Sequence, residues 1–126
     1  TAADALRFVN EVGLDNATVH LDTFHMIREE DDMADAVRAT GKKLGYFHAC
    51  GSQRGIPGND LTDWDSALTA LRDTGYSDTI TIESFNPDLS IAPLVAVWRH
   101  FADSQEELAT EGLAFLKPLA ANIWGQ

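Results

Sequence analysis

The chain has 126 residues, 44% hydrophobic and 23% charged, which is enough apolar material for one core and too little length for two. Nine Lys and Arg stand against 20 Asp and Glu, a formal charge of −11 that argues against a polyanionic partner such as nucleic acid. The single Cys50 excludes an internal disulfide framework, no apolar run approaches the ~18 residues of a membrane span, and no signal-peptide core opens the chain, so no membrane partner and a cytoplasmic setting are expected.

Residues 2–13 (AADALRFVNEVG) have helical period and close on Gly13, where a left-handed residue is easiest. Residues 16–22 (NATVHLD) then read as a strand ending on Asp22. A second helix is expected over 29–41, closing on Gly41. Its acidic run (Glu29, Glu30, Asp31, Asp32, Asp35) suits a solvated helix N-terminus, where negative charge complements the dipole. Residues 42–49 (KKLGYFHA) form the next strand, with His48 near its end, and residues 50–60 are a long connection holding Arg54.

Residues 62–76 give a third helix. Thr62 or Asp63 caps it, Trp64, Leu68 and Leu71 share one stripe with Ala67 beside it, and Gly75 ends it. Residues 78–84 (DTITIES) form a third strand carrying Glu83. The tail predicts two more helices, 91–102 with Pro93 in its first turn and 104–124 with a Ser104/Glu107 capping box; Pro118 should end or kink the last. His100, Trp98 and Trp124 read as outer-layer helix residues.

Alternating helix and strand implies an α/β fold with parallel strands and right-handed crossovers. Asp22, His48 and Glu83 lie 26 and then 35 residues apart. A (β/α)8 barrel of about 250 residues gives roughly 31 to each unit and gathers its active site at the C-terminal strand ends. Three strands cannot close a barrel, and the sequence starts at Thr1 inside a helical pattern. The expectation is one unit, residues 1–126, forming the C-terminal half of a (β/α)8 barrel with a helical tail, its N-terminal half absent. Such a half leaves strand edges and apolar faces to be covered by the other half or by homo-oligomerisation.

Asp22, His48 and Glu83 are ligand types that a hard divalent cation accepts. Each has a plainer reading: Asp22 as a helix cap, His48 as a hydrogen-bonded core histidine, Arg54 as a surface charge. Glu83 is harder to reassign, because a carboxylate after Ile-Thr-Ile on a buried strand needs a partner. Cys50 could be a soft ligand or nucleophile, but carboxylates dominate the set and no second thiol exists, so a small residue packed beside the site is preferred. His20 shares strand parity with Asp22 and should point the same way, in a packing or supporting role.

Three strings in order, HLDTFHMIREED (20–31), FHACGSQRGIPGND followed by DW (47–64) and GYSDTITIESF (75–85), resemble the D-tagatose and D-psicose (allulose) 3-epimerase group of the xylose-isomerase-like sugar isomerase/epimerase barrels. The resemblance runs from about Gly13 to the end of the chain. It implies a metal site on Asp22, His48 and Glu83, with Mn²⁺ first and Mg²⁺ or Co²⁺ as alternatives. It also implies substrate-oxygen contacts from His25 and Arg54, and Glu83 as one of two acid/base carboxylates. The other, a metal-binding glutamate on an earlier strand, has no counterpart here, and Gly51 stands where many relatives carry a glutamate.

The implied activity is a metal-dependent isomerase that interconverts ketose sugars by removing a proton and passing through a metal-stabilised enediolate. The chain alone is expected to be inactive. The alternatives are an aldose–ketose isomerase, a hydroxypyruvate isomerase, an inosose dehydratase or a non-catalytic barrel half. A nuclease resembling endonuclease IV would need more metal histidines and a basic surface.

Overall fold

The computed structural model describes residues 1–125. Its order is α1 (Ala2–Val12), β1 (Val19–Asp22), α2 (Thr23–Glu29), α3 (Met33–Thr40), a 3₁₀ turn (Gly41–Lys43), β2 (Leu44–Ala49), α4 (Trp64–Thr74), β3 (Ile80–Ile82) and α5 (Gln105–Trp124). The strands are all parallel in the order β1-β2-β3. Val19, Leu21, Leu44, Phe47 and Ala49 are buried in one core with Val37, Leu68, Leu71 and Leu116 of the helices. Helices therefore cover one sheet face. No helix among the described residues is long and apolar enough to cross a membrane.

A bulge decides which side chains reach which face. Val19 pairs with Leu44 but His20 pairs with Tyr46, so Gly45 is the extra residue. Leu44 and Phe47, three apart, both enter the core, while Tyr46 and His48 turn to the other face with His20 and Asp22. Only glycine fits at 45, since a Cβ there would lie 2.2 Å from Thr18 Oγ1.

The caps follow the local chemistry. Asp63 accepts from the Ser66 N–H to open α4, and Gly13 and Gly75 close α1 and α4 in the left-handed region. Gly41 differs, with φ 54 and ψ −134, because the chain runs on into the 3₁₀ turn. Ser104 accepts from the Glu107 N–H, but the Glu107 carboxylate accepts from Asp103 N–H, one residue before the N-cap, so the capping box is not closed. Trp64, Ala67, Leu68 and Leu71 are buried as their spacing predicts.

The tail departs from its expected form. Residues 91–102 form turns and no helix: Ala96 takes φ 61, Val97 N–H bonds back to Ala92 O at 3.0 Å, and the segment folds so that Phe101 packs on Gly55. Trp98 and His100 accordingly sit on that irregular segment, and both are exposed. Pro118 does not end α5, which continues to Trp124; the carbonyl of Ala114, which loses its N–H partner there, is on an exposed residue and can meet water.

The acidic run is divided between two elements. Asp32 and Asp35 do open α3, but Glu29 ends α2, and Glu30 accepts the Ala2 N–H at 2.6 Å, serving the N-terminus of α1 instead.

Candidate metal and substrate site

Register brings the three candidate ligands together. Asp22 pairs with His48 across β1 and β2, and His48 pairs with Thr81 across β2 and β3. Glu83 lies two residues past Thr81, so it shares the face, and its N–H to Ala49 O (3.1 Å) carries the ladder one step beyond β3. Asp22 also caps α2, accepting from Phe24 N–H at 2.8 Å, so its plainer reading holds as well; the other carboxylate oxygen remains for the site.

His48 Nδ1 lies 3.5 Å from Asp22 Oδ2 and 3.6 Å from Glu83 Oε1, and it is buried without a hydrogen-bond partner. A buried nitrogen left unpaired between two carboxylates is an unsatisfied arrangement that a cation would resolve. Donor atoms about 2–2.2 Å from one hard ion would lie roughly 3–3.6 Å from each other, and the two separations of His48 Nδ1 from the carboxylates fall in that range. The donor set therefore fits a divalent ion.

Among the described residues, the set whose ligand atoms all lie within 4.8 Å of one another is Asp22, Cys50 and Glu83; His48, close to each carboxylate separately, does not complete such a set. Cys50 is fully buried, and burial, with the Asp22 charge second, pushes its thiol well above the usual range. Arg54 Nη1 stands 3.9 Å from the sulfur. A thiolate at that point would face two carboxylates, and a metal there would face a guanidinium. Cys50 fits as a neutral residue packed beside the site.

Arg54 is 6% exposed, and its Nη1 meets Glu83 Oε2 at 2.5 Å while Nη2 meets His25 Nε2 at 3.2 Å. Its guanidinium stacks on Phe24, 3.8 Å from the ring centre. Its backbone takes φ 63, held by Arg54 N–H to Gly51 O and Phe85 N–H to Arg54 O. A buried arginine in a left-handed conformation is no surface charge, and such strain gathers at functional positions. The Arg54–Glu83 pair spans 29 residues and has no local sequence signal.

His20 lies edge-on to His48, ring centres 4.2 Å apart, with Tyr46 5.1 Å from both. Burial, then repulsion from His48, lowers the His20 pKa. A cavity of about 390 Å³ opens over this cluster, lined in part by His20, Asp22, His25, His48, Glu83 and Glu29. A second groove of about 540 Å³ lies between α4, β3 and α5; Leu68, Ile82 and Trp124 make it apolar, and the ligand cluster is elsewhere.

A parallel α/β sheet with carboxylates and an imidazole at its C-terminal strand ends has the arrangement at which barrel enzymes gather their sites. The family model described as the xylose isomerase-like TIM barrel matches residues 1–119, and the chain belongs to that family. It is 38% identical over 120 residues to the L-ribulose 3-epimerase of Methylomonas sp. (strain DH-1), covering 93% of this chain and 42% of that protein. It is 39% identical over 121 residues to the D-psicose 3-epimerase of Agrobacterium fabrum, covering 91% and 42%. These relatives are epimerases, enzymes of the isomerase class.

Among solved structures, an L-ribulose 3-epimerase superposes with a TM-score of 0.92 at 34% identity, over 99% of this chain and 43% of that one. The D-allulose 3-epimerase from Methylomonas sp. in complex with D-allulose gives 0.87 at 39%, over 94% and 42%. The chain thus spans about 42% of the length of the curated relatives it matches.

Proposed function

We propose that this chain supplies the C-terminal strands of a metal-dependent ketose 3-epimerase barrel, completed by a segment outside residues 1–126. The observation that carries the reading is His48 Nδ1, buried and unpaired between Asp22 and Glu83. Asp22, His48 and Glu83 would hold the ion, with Mn²⁺ preferred and Mg²⁺ or Co²⁺ as alternatives; three protein ligands leave room for a fourth carboxylate from an earlier strand and for substrate oxygens. When bound, the ion supplies Lewis-acid stabilisation of the negative charge that grows on the ketose oxygens.

The chain's own residues do the rest. Glu83 is the base for the C3 proton on one face of the sugar, and the second carboxylate returns a proton to the opposite face. In the structure Glu83 Oε2 is occupied by Arg54. Turning the guanidinium from the carboxylate to a sugar oxygen both frees the base and steadies the developing charge, with His25 beside it as a second donor. Phe24 and the buried Arg54 turn hold that group out of bulk water. Acidic Glu29 and Glu30 on the cavity wall favour a neutral sugar, as in the D-psicose and L-ribulose epimerases.

The test is C3 epimerisation of D-psicose, D-fructose, D-tagatose and L-ribulose with Mn²⁺, measured on this chain alone and with the preceding coding sequence restored. Turnover only in the longer protein, lost on chelation, is expected. Turnover that persists in the longer protein after Glu83→Gln would overturn the assignment.

A further inference from the structure

The β1–β2 ladder pairs its last residues at Asp22 and His48, so backbone pairing ends at the point where the two ligands must be held together. Beyond it a side chain takes over. Thr23, fully buried and first in α2, donates from Oγ1 to Cys50 O at 2.6 Å and accepts from Cys50 N–H at 2.8 Å. One hydroxyl thereby satisfies both buried polar groups of Cys50's backbone, 27 residues away.

The placement is close to the site on both sides. Thr23 adjoins Asp22 in sequence, and Cys50 lies two residues past His48, with its N–H on the peptide following Ala49. A β-branched side chain has few χ1 choices, and Oγ1 also lies 3.5 Å from His48 O, so the hydroxyl is held against the backbone at the end of β2. Its contacts here are to β2's end and not to the cavity, whose lining does not include it.

We infer that Thr23 is a positioning residue for the metal site: its two-way bond to Cys50 sets the separation of the Asp22 carboxylate from the His48 imidazole. This rests on the metal reading proposed above. Partners of this kind, which orient ligands without touching the ion, change metal affinity by about 10–100-fold when removed. Serine keeps the hydroxyl, whereas valine keeps the shape and loses it.

The experiment is Mn²⁺ titration of the protein with the preceding coding sequence restored, free hexaaqua Mn²⁺ being read by electron paramagnetic resonance, for wild type, Thr23→Val and Thr23→Ser, with far-UV circular dichroism to establish folding. T23V is expected to raise Kd at least ~10-fold and T23S to stay within about threefold of wild type. If T23V does not fold, T23A against T23S makes the same comparison, since both lose the γ-methyl group and differ by the hydroxyl. Equal affinities for the hydroxyl-bearing and hydroxyl-free variants would overturn this inference while leaving the metal site standing. Wild type of the longer protein that takes up no Mn²⁺ would overturn the metal reading and this inference with it.

Discussion

Replacing Arg54 by methionine removes the guanidinium while keeping much of the aliphatic stem, and so isolates its charge. The Arg54 side chain is 8% exposed and its partner Glu83 27% exposed. Removing one partner of a fully buried pair costs about 3–5 kcal/mol, because the other charge is left stranded. Glu83 still reaches water, so roughly half of that, ~2 kcal/mol, is expected. Loss of the stacking on Phe24 adds about 1 kcal/mol. R54M should therefore be destabilised by ~3 kcal/mol in urea denaturation at neutral pH, with little salt dependence, since buried pairs are weakly screened.

Two further arms sharpen the result. In R54M/E83Q the stranded carboxylate is gone, so the double variant should be more stable than R54M by at least ~1 kcal/mol. On the metal reading proposed above, saturating Mn²⁺ added to the longer protein should also restore part of the R54M loss, since a bound cation would partner Glu83. An R54M variant within ~0.5 kcal/mol of wild type, or a double variant less stable than R54M, would refute this account of the pair.

Glu83→Gln in the longer protein should lower epimerase turnover by about 10²–10⁴-fold in steady-state assays, the usual worth of a general base. Gly45→Ala should destabilise by about 1–3 kcal/mol in urea melts, because its Cβ would meet Thr18 Oγ1 at 2.2 Å; pairing it with Thr18→Gly should recover much of the loss. Ala96→Gly should stabilise by roughly 0.5–1 kcal/mol, since Ala96 carries φ 61, measured by the shift of the same midpoint. Asp63→Ala should cost about 1 kcal/mol through the lost cap on α4. The hydrogen bond from Ser66 N–H, then that from its hydroxyl, holds the Asp63 carboxyl below the usual aspartate range. Folding thus favours its ionised form, and this contribution is present at neutral pH and lost as pH falls through the lowered pKa. Stability measured below about pH 4 should fall less steeply in D63A than in wild type.

Much of this protein is decided locally and is therefore readable from the chain. The stripe of Trp64, Leu68 and Leu71, the caps at Asp63 and Gly75, and the strand endings at Asp22 and Ala49 follow from side-chain spacing and backbone preference over a few residues. The parallel order follows from helices between strands. Other features depend on partners distant in sequence. Gly45 could be read as an ordinary strand glycine until Thr18 fills the space above it, and that bulge determines that Tyr46 and His48 face the site while Phe47 enters the core. Residues 91–102 carry enough apolar side chains for a helix, but Phe101 is drawn to Gly55, and the chain turns at Ala96 instead.

The same division runs through the site. Residue types and spacing nominate Asp22, His48 and Glu83, because metal chemistry restricts which side chains will serve. The Arg54–Glu83 pair, the unpaired His48 nitrogen and the Thr23 bond to Cys50 required the folded chain. A sequence fixes which groups can hydrogen-bond or carry charge; strand register and burial set the few ångströms between them, and so determine which are satisfied.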